Sequence, residues 1–393
     1  VSKQLLFIPG PVTVAEPVLA AMAKPMIDHR GPEFKALQDS ILQKLKPVFG
    51  TTGDVLLLGC SGTGGLESAM SNMFSPGEKV LACPIGVFGE RFAEIGRVWG
   101  VDVEVLPTAW GHGVDPAALK ARLAADTNRE IKGVLLTHNE TSTGVQHVMG
   151  PLADAIRDHG ALVLVDSVSG LAASEFTMDA WGFDIVCAAS QKALGVPPGM
   201  AMLAVSPRAW TKIESATGPR YYFDLRKARE FAGIGQTPAT PPVSLCYAMD
   251  VALDRYNSEG PANVWTRHER YTRGIIAAVE ALGLELYAQP DVRSITVTAI
   301  VVPEGINGDG IRKAMREKRG LVLGGGQGKL AGKIIRIGTM GDISQTDVLG
   351  MLGALEMELL EAGFNVTVGS GVQAALRVFL ESAPPPPGQP VPA

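Results

Sequence analysis

Cysteine is scarce in this chain of 393 residues: there are four, Cys60, Cys83, Cys187 and Cys246, with no CxxC pair. That spacing supports neither a disulfide framework nor a zinc site. The six histidines include no HExxH, so metal chemistry has no motif to stand on. Positive charge is in deficit. Thirty-five Lys and Arg against 40 Asp and Glu give a formal net charge of -5, with no polybasic footprint for nucleic acid. No uncharged run is apolar enough over about 18 residues to span a bilayer. The apolar opening at 5–8 is cut by Pro9-Gly10-Pro11, too early for a signal sequence, so the expected location is the cytoplasm.

What is present is apolar bulk, 46% of residues, in a chain long enough for about two domains with real cores. Between 50 and 210, short Val/Leu/Ala-rich runs alternate with amphipathic ones. The runs 55–59, 79–84, 101–106, 133–138, 161–166, 184–190 and 200–206 read as strands buried on both faces. Segments 64–75, 86–99, 116–125 and 151–159 fit helices. This alternation predicts an α/β fold, a mostly parallel seven-stranded sheet with helices on both faces. After about 260 the texture becomes α+β. It holds a helix at 261–282, a strand at 294–302, a helix at 308–319, strands at 321–323 and 333–337, and a final helix at 344–362. The expected division is an arm (1–20) contributing to the active site, a large domain (21–255), a small domain (256–381) and a proline-rich tail (382–393).

One lysine stands out. From Ile185 to Pro207 only Lys192 carries charge. A lysine is almost never fully buried without a partner, and desolvation lowers its pKa, giving a nucleophilic amine able to form an imine. The alternative is a lysine at a strand end whose stem packs while its head reaches solvent. In an open parallel sheet, ligands bind beyond the carboxyl ends of the strands. At one such end lies Cys60-Ser61-Gly62-Thr63-Gly64-Gly65-Leu66-Glu67, small residues opening a helix and suited to an anion. It is neither a P-loop nor GxGxxG nor GxSxG, and an ordinary glycine-rich helix start remains the alternative. At another end Asp166 follows Ala-Leu-Val-Leu-Val; its alternative role is a cap or loop hydrogen bond. Strand 133–138 leads into His138-Asn139-Glu140-Thr141-Ser142-Thr143-Gly144. A phosphate cradle, a carboxylate and an isolated lysine are the groups that pyridoxal 5'-phosphate needs. The lysine holds the aldehyde, the carboxylate faces the pyridine nitrogen, and the cradle anchors the phosphate.

The chain resembles the class V pyridoxal-phosphate aminotransferases, in the alanine/serine–glyoxylate branch, from Pro9 to about Leu380. The motifs carrying the resemblance include Pro9-Gly10-Pro11, His29-Arg30-Gly31-Pro32-Glu33-Phe34, Ser61-Gly62-Thr63-Gly64-Gly65, Gly86-Val87-Phe88-Gly89, Glu140-Thr141-Ser142-Thr143-Gly144 and Val165-Asp166-Ser167-Val168. Ser190-Gln191-Lys192-Ala193-Leu194, Thr237-Pro238-Ala239-Thr240 and Gly332-Lys333-Ile334-Ile335-Arg336-Ile337-Gly338 complete the set.

The resemblance implies a fold-type-I transferase and roles by position. Lys192 and Asp166 would be catalytic. Ser61, Gly62 and Thr63 would cradle the phosphate, with Gln191 nearby; Phe88 and Val168 would cover the two ring faces, and Ser142 would lie near the ring hydroxyl. Thr240 would reach the neighbouring subunit's phosphate in a homodimer. Arg336 would grip the substrate carboxylate as a bidentate fork, with Gly10 also contacting substrate. Two positions depart from related enzymes: Gln236 and Thr237 stand where a tyrosine is frequent by the partner's phosphate. Pyridoxamine–pyruvate aminotransferases differ at Arg30, where they carry tyrosine, and near Gln327, where they carry a second arginine. The activity implied is transfer of an amino group from alanine or serine to glyoxylate in two half-reactions, the runner-up being pyridoxamine–pyruvate or another small 2-oxo acid. A cysteine desulfurase and a non-catalytic α/β binding protein are the remaining alternatives.

Borohydride reduction followed by peptide mapping is expected to leave the cofactor on the peptide containing Lys192. Attachment to any other lysine contradicts the assignment.

Overall fold

Alternating burial along the central strands sets the architecture. In Leu162–Asp166, Val163 and Val165 join one apolar layer while Leu164 joins another. In Ala201–Val205, Met202 and Ala204 face the first layer, and Ala201, Leu203 and Val205 the second. A strand side chain changes face at every residue, so these uninterrupted apolar runs place the sheet between two layers of helices. The computed structural model, which describes residues 4–382, has seven strands in this sheet. Their order is Asp54–Leu58, Ala201–Val205, Ile185–Ala189, Leu162–Asp166, Ile131–Thr137, Lys79–Ala82 and Asp102–Val105. Ala201–Val205 is antiparallel to both neighbours, and the other pairings are parallel. Six strands therefore run the same way, and Leu58, Thr137, Asp166 and Ala189 end at one edge. All seven strands fall where the hydrophobic runs predict them, with ends shifted by a residue or two.

A second sheet of four strands has the order Leu5–Phe7, Leu321–Gly325, Ile334–Gly338, Val297–Val301. Its first strand comes from the start of the described chain and pairs in parallel with Leu321–Leu323. No strand is legible there in the sequence, because a three-residue run has no periodicity to detect and its partner is remote. Helices Pro32–Phe49 and Val243–Glu259 were likewise unassigned, and the helix expected to be final, Gln345–Glu361, is followed by Ser370–Glu381. Ala375 and Phe379, a turn apart on that helix, are buried in the small-sheet core. The proline-rich tail at 383–393 lies outside the described residues.

Helix Gly62–Met73 packs unusually close to the large sheet, and ten of its twelve residues are buried. Gly65 makes this possible: a Cβ there would lie 2.5 Å from Cys187 Sγ and 3.1 Å from Ala201 Cβ. Gly65→Ala is therefore expected to destabilise the fold by about 1–3 kcal/mol through overpacking. Adding Cys187→Ala removes the nearer obstacle and should restore part of the loss, as read from urea midpoints. Simple additivity of the two changes contradicts this packing account.

Candidate active site

The turn after Ile185–Ala189 carries Lys192 into the interior. Ser190 Oγ donates to Pro197 O at 2.8 Å, and the Gly195 N–H donates to Lys192 O at 2.9 Å, fixing the turn. The Lys192 side chain is buried, and its Nζ donates to Pro9 O at 2.6 Å. Burial pushes its pKa down to about 8, helped by the Arg336 charge and opposed by Asp166. The neutral amine at pH 7 rises from about one molecule in three thousand to about one in ten. The snorkelling alternative does not hold, because the head is inside. Gly10 stands directly against the lysine with φ +136°, and a Cβ there would lie 2.7 Å from Nζ. Only glycine fits this backbone and this approach.

Asp166 ends its strand and is buried; among the described residues the one hydrogen bond its carboxylate accepts is from the Val168 N–H, at 2.9 Å. Burial with so few partners pushes its pKa up to about 7, against the pull of Lys192. Ser61 caps helix Gly62–Met73, its Oγ accepting from the Gly64 N–H at 3.4 Å. The first N–H groups of a helix lack intrahelical acceptors, so Gly62 and Thr63 present donors at the sheet edge. Val168 sits against Gly62, where a Cβ would come within 2.8 Å of Val168 Cγ2. Gln191, next to the lysine, has a buried amide oxygen with no partner.

Arg336 lies on Ile334–Gly338 and is buried. Nε donates to Gly325 O at 2.8 Å and Nη1 to Thr141 O at 2.7 Å. Both acceptors are neutral carbonyls, and burial pushes the guanidinium down to about 10, with Glu140 opposing. A buried cation without a bonded anion is a natural receptor for a carboxylate.

Phe88 occupies the first turn of helix Val87–Val98, with the Arg91 guanidinium 4.8 Å from its ring centroid. Arg91 also donates to Thr63 Oγ1 at 3.3 Å, linking this helix to the cradle. Ser142 is less free than its sequence role suggests: its hydroxyl donates to Glu140 Oε1 at 2.6 Å and accepts from the Val87 N–H at 2.9 Å. Thr240 is exposed and makes no hydrogen bond among the described residues. Glu140 is the residue that sequence reasoning overlooked. It is fully buried, with its pKa raised by that burial, and sits between Ser142 and the start of the Phe88 helix. The available signal was an acidic residue two positions beyond a buried strand, inside a motif otherwise made of small hydroxyl residues.

The geometry thus gathers three buried charged groups, with Lys192 under the influence of both Asp166 and Arg336. Comparison with known proteins agrees. The family model for aminotransferase class-V matches residues 19–337. A soluble hydrogenase 42 kDa subunit from Anabaena cylindrica is 42% identical over 96% of this chain and 99% of its own length. An L-aspartate–glyoxylate aminotransferase from Paracoccus denitrificans is 39% identical over 95% of this chain and 96% of its own. A serine–glyoxylate aminotransferase from Methylorubrum extorquens is 39% identical over 96% of each. Among solved structures, the alanine–glyoxylate aminotransferase from Nostoc superposes with a TM-score of 0.87 at 32% identity, covering 91% of this chain and 96% of that one. The pyridoxamine–pyruvate aminotransferase from Mesorhizobium loti superposes with a TM-score of 0.92 at 29% identity, covering 97% and 98%. By its motifs, its fold and its sequence, this chain belongs to the class V aminotransferases.

Proposed function

We propose that this enzyme moves the amino group of alanine or serine to glyoxylate, giving glycine. The observation that carries the reading is a buried arginine, Arg336, whose hydrogen-bond partners among the described residues are carbonyls and which is close enough to Lys192 to influence its charge. Serine–glyoxylate and alanine–glyoxylate enzymes among the relatives support it. Pyridoxal phosphate, the cofactor of this family, supplies when bound an aldehyde for the lysine and a ring that withdraws electrons from the substrate Cα. The residues suit it. Asp166 is a buried carboxylate lacking a bonded cation, Gln191 has an unpartnered amide oxygen, and Gly62 and Thr63 offer backbone donors. An amide can present either end by a half-turn.

In this reading Lys192 takes the proton from the substrate Cα, its lowered pKa placing it near neutrality where general-base catalysis works best. Pro9 O holds the amine in position through its hydrogen bond. Asp166 offers its charge to the ring nitrogen. Arg336 orients each carboxylate substrate in turn. Val168 and Phe88 cover the ring. We further place two copies in a dimer with shared sites. Thr240, exposed and without a hydrogen bond among the described residues, and the neighbouring exposed Tyr222 support this.

Two other chemistries are disfavoured. A desulfurase needs a reactive thiolate, yet burial pushes Cys60, Cys83 and Cys246 up to about 12 and Cys187 well above its ordinary value. Pyridoxamine as donor is disfavoured by Arg30, which is exposed and donates to Gln236 at 2.7 Å, and by Gln327 in place of a second arginine.

Arg336→Lys keeps the charge but loses the fork. Steady-state assays should show kcat/KM falling roughly ten- to a hundredfold for donor and acceptor alike, as expected for a charged hydrogen bond. With Arg336 as receptor for the α-carboxylate and the neighbouring Arg312 already bonded to Asp309, alanine and serine are expected to outperform aspartate and glutamate in a donor panel, since an unpaired buried charge is costly. The aspartate-specific name of one relative makes this the sharpest comparison. Preferred turnover of aspartate overturns the pocket model and leaves the family unchanged.

Asp166 gives a prediction of opposite sign for stability and activity. Its folded pKa of about 7 exceeds the unfolded value near 3.9, so the folded, cofactor-free protein binds the extra proton. The group's contribution is fully present below about pH 4 and is lost as pH rises through about 7. Asp166→Asn, neutral throughout, should raise the melting temperature of the cofactor-free protein, increasingly from pH 4 to 7 and constantly above. The same variant should lose most transamination. A melting temperature lowered at pH 8 indicates a structural cap instead.

A further inference from the structure

The Glu140 carboxylate accepts from the Phe88 N–H at 3.2 Å, the Gly89 N–H at 3.0 Å, the Ser142 N–H at 3.0 Å and the Ser142 hydroxyl at 2.6 Å. The Val87 N–H donates to that same Ser142 hydroxyl. Three successive N–H groups at the start of helix Val87–Val98 are thus satisfied by a residue pair from another element. The helix has no side-chain cap of its own. Its N-cap is Gly86, where a Cβ would lie 2.4 Å from Ser142 Oγ and 2.5 Å from Glu140 Cγ, so the two elements touch as closely as glycine permits. The intervening residue, Thr141, gives its carbonyl to Arg336 Nη1. One three-residue segment therefore fixes both the helix turn that carries Phe88 and one arm of the Arg336 fork.

A purely structural cap does not need this. A serine or threonine on the helix would satisfy an end N–H without burying a carboxylate at 0% exposure, and ionised carboxylates are rarely buried without a bonded cation. Glu140 lies near Arg336, whose charge it supports, yet among the described residues the Arg336 guanidinium bonds Gly325 O and Thr141 O and not the Glu140 carboxylate. The separation leaves the guanidinium unneutralised and available to a substrate.

We propose that Glu140 is a positioning residue that holds the Phe88 ring and the Arg336 fork in one fixed relation, so that cofactor stacking and carboxylate binding are built as a single unit. The inference rests on the aminotransferase reading and adds the residue that sets the geometry of its two binding surfaces. Glu140 touches neither surface directly; it acts through Phe88, Ser142 and Thr141.

Glu140→Gln tests it, because the amide keeps one acceptor for the helix N–H groups but cannot accept from Ser142 at its nitrogen. Three readouts are taken: the apparent Kd for pyridoxal phosphate, the thermal shift that propionate produces in the cofactor-loaded protein, and KM against kcat. The Kd and the KM for both substrates should each rise roughly tenfold, the size of a lost charged hydrogen bond. The propionate shift should shrink, with the melting temperature of the unliganded protein little changed. Should Glu140→Gln fail to fold, Ser142→Ala removes the shortest of the four bonds and leaves the carboxylate; the same shifts are expected, smaller. A folded variant that binds pyridoxal phosphate and propionate within about twofold of the unmodified protein overturns the inference. Failure of the unmodified protein to bind pyridoxal phosphate overturns the aminotransferase reading instead.

Discussion

An ammonium group withdrawn from water governs the design of this molecule. Lys192 keeps one short bond to a backbone carbonyl and feels Asp166, yet burial and Arg336 outweigh both and bring its pKa to about 8. That outcome requires three parts of the chain at one point. The turn after Ile185–Ala189 supplies the lysine, the strand Leu162–Asp166 supplies the aspartate, and the early segment Pro9-Gly10 supplies the carbonyl. Ile185–Ala189 and Leu162–Asp166 are apolar on both faces, as strands that cross the interior must be, and each delivers a polar residue at its end. The α/β layering is the cheapest way to bring such ends together, since parallel strands share an edge where the backbone stops pairing and side chains can converge.

The same arithmetic of burial runs through the other charges, with different results. Asp166 rises to about 7 because a single N–H partner does not replace its water. Arg336 drops to about 10 because two carbonyls do not neutralise a guanidinium. Each of the three is left in a state that a ligand of opposite or complementary character would relieve, so the site is least comfortable when its ligands are absent. Glu140 differs. Its four hydrogen bonds satisfy it internally, and it serves the architecture of the site.

How much of this was legible in the sequence depended on whether the signal was local. The seven strands were legible because residues such as Val163 to Val165 cannot be other than interior. Lys192 was legible because a lone charge in a long uncharged run contradicts its surroundings. Arg336 carries the same contradiction, one cation within Ile-Ile-Arg-Ile-Gly, but was assigned only through the family resemblance. Glu140 was hidden because a carboxylate among hydroxyl residues looks like a solvated loop; only the fold brings the helix N–H groups to it. The strand Leu5–Phe7 was hidden for a related reason. Its partner Leu321–Leu323 is about three hundred residues away, and no window on the sequence spans that distance.

That distance has a consequence for how the protein comes into being. The large sheet can form while the chain is still being synthesised, because its strands are contributed by residues between 54 and 205. The carbonyl that meets Lys192 cannot be set in place then. Pro9 follows a strand whose neighbour among the described residues, Leu321–Gly325, is made much later, and Gly338 of the same late sheet lies so close that a Cβ there would be 2.5 Å from Ile8 O. Long-range pairings of this kind form late and slowly. Until they do, the Pro9 carbonyl is not held against the Lys192 amine. The contact between Pro9 and Lys192 therefore arrives only with the last strands, as a property of the finished molecule that a half-made chain does not yet have.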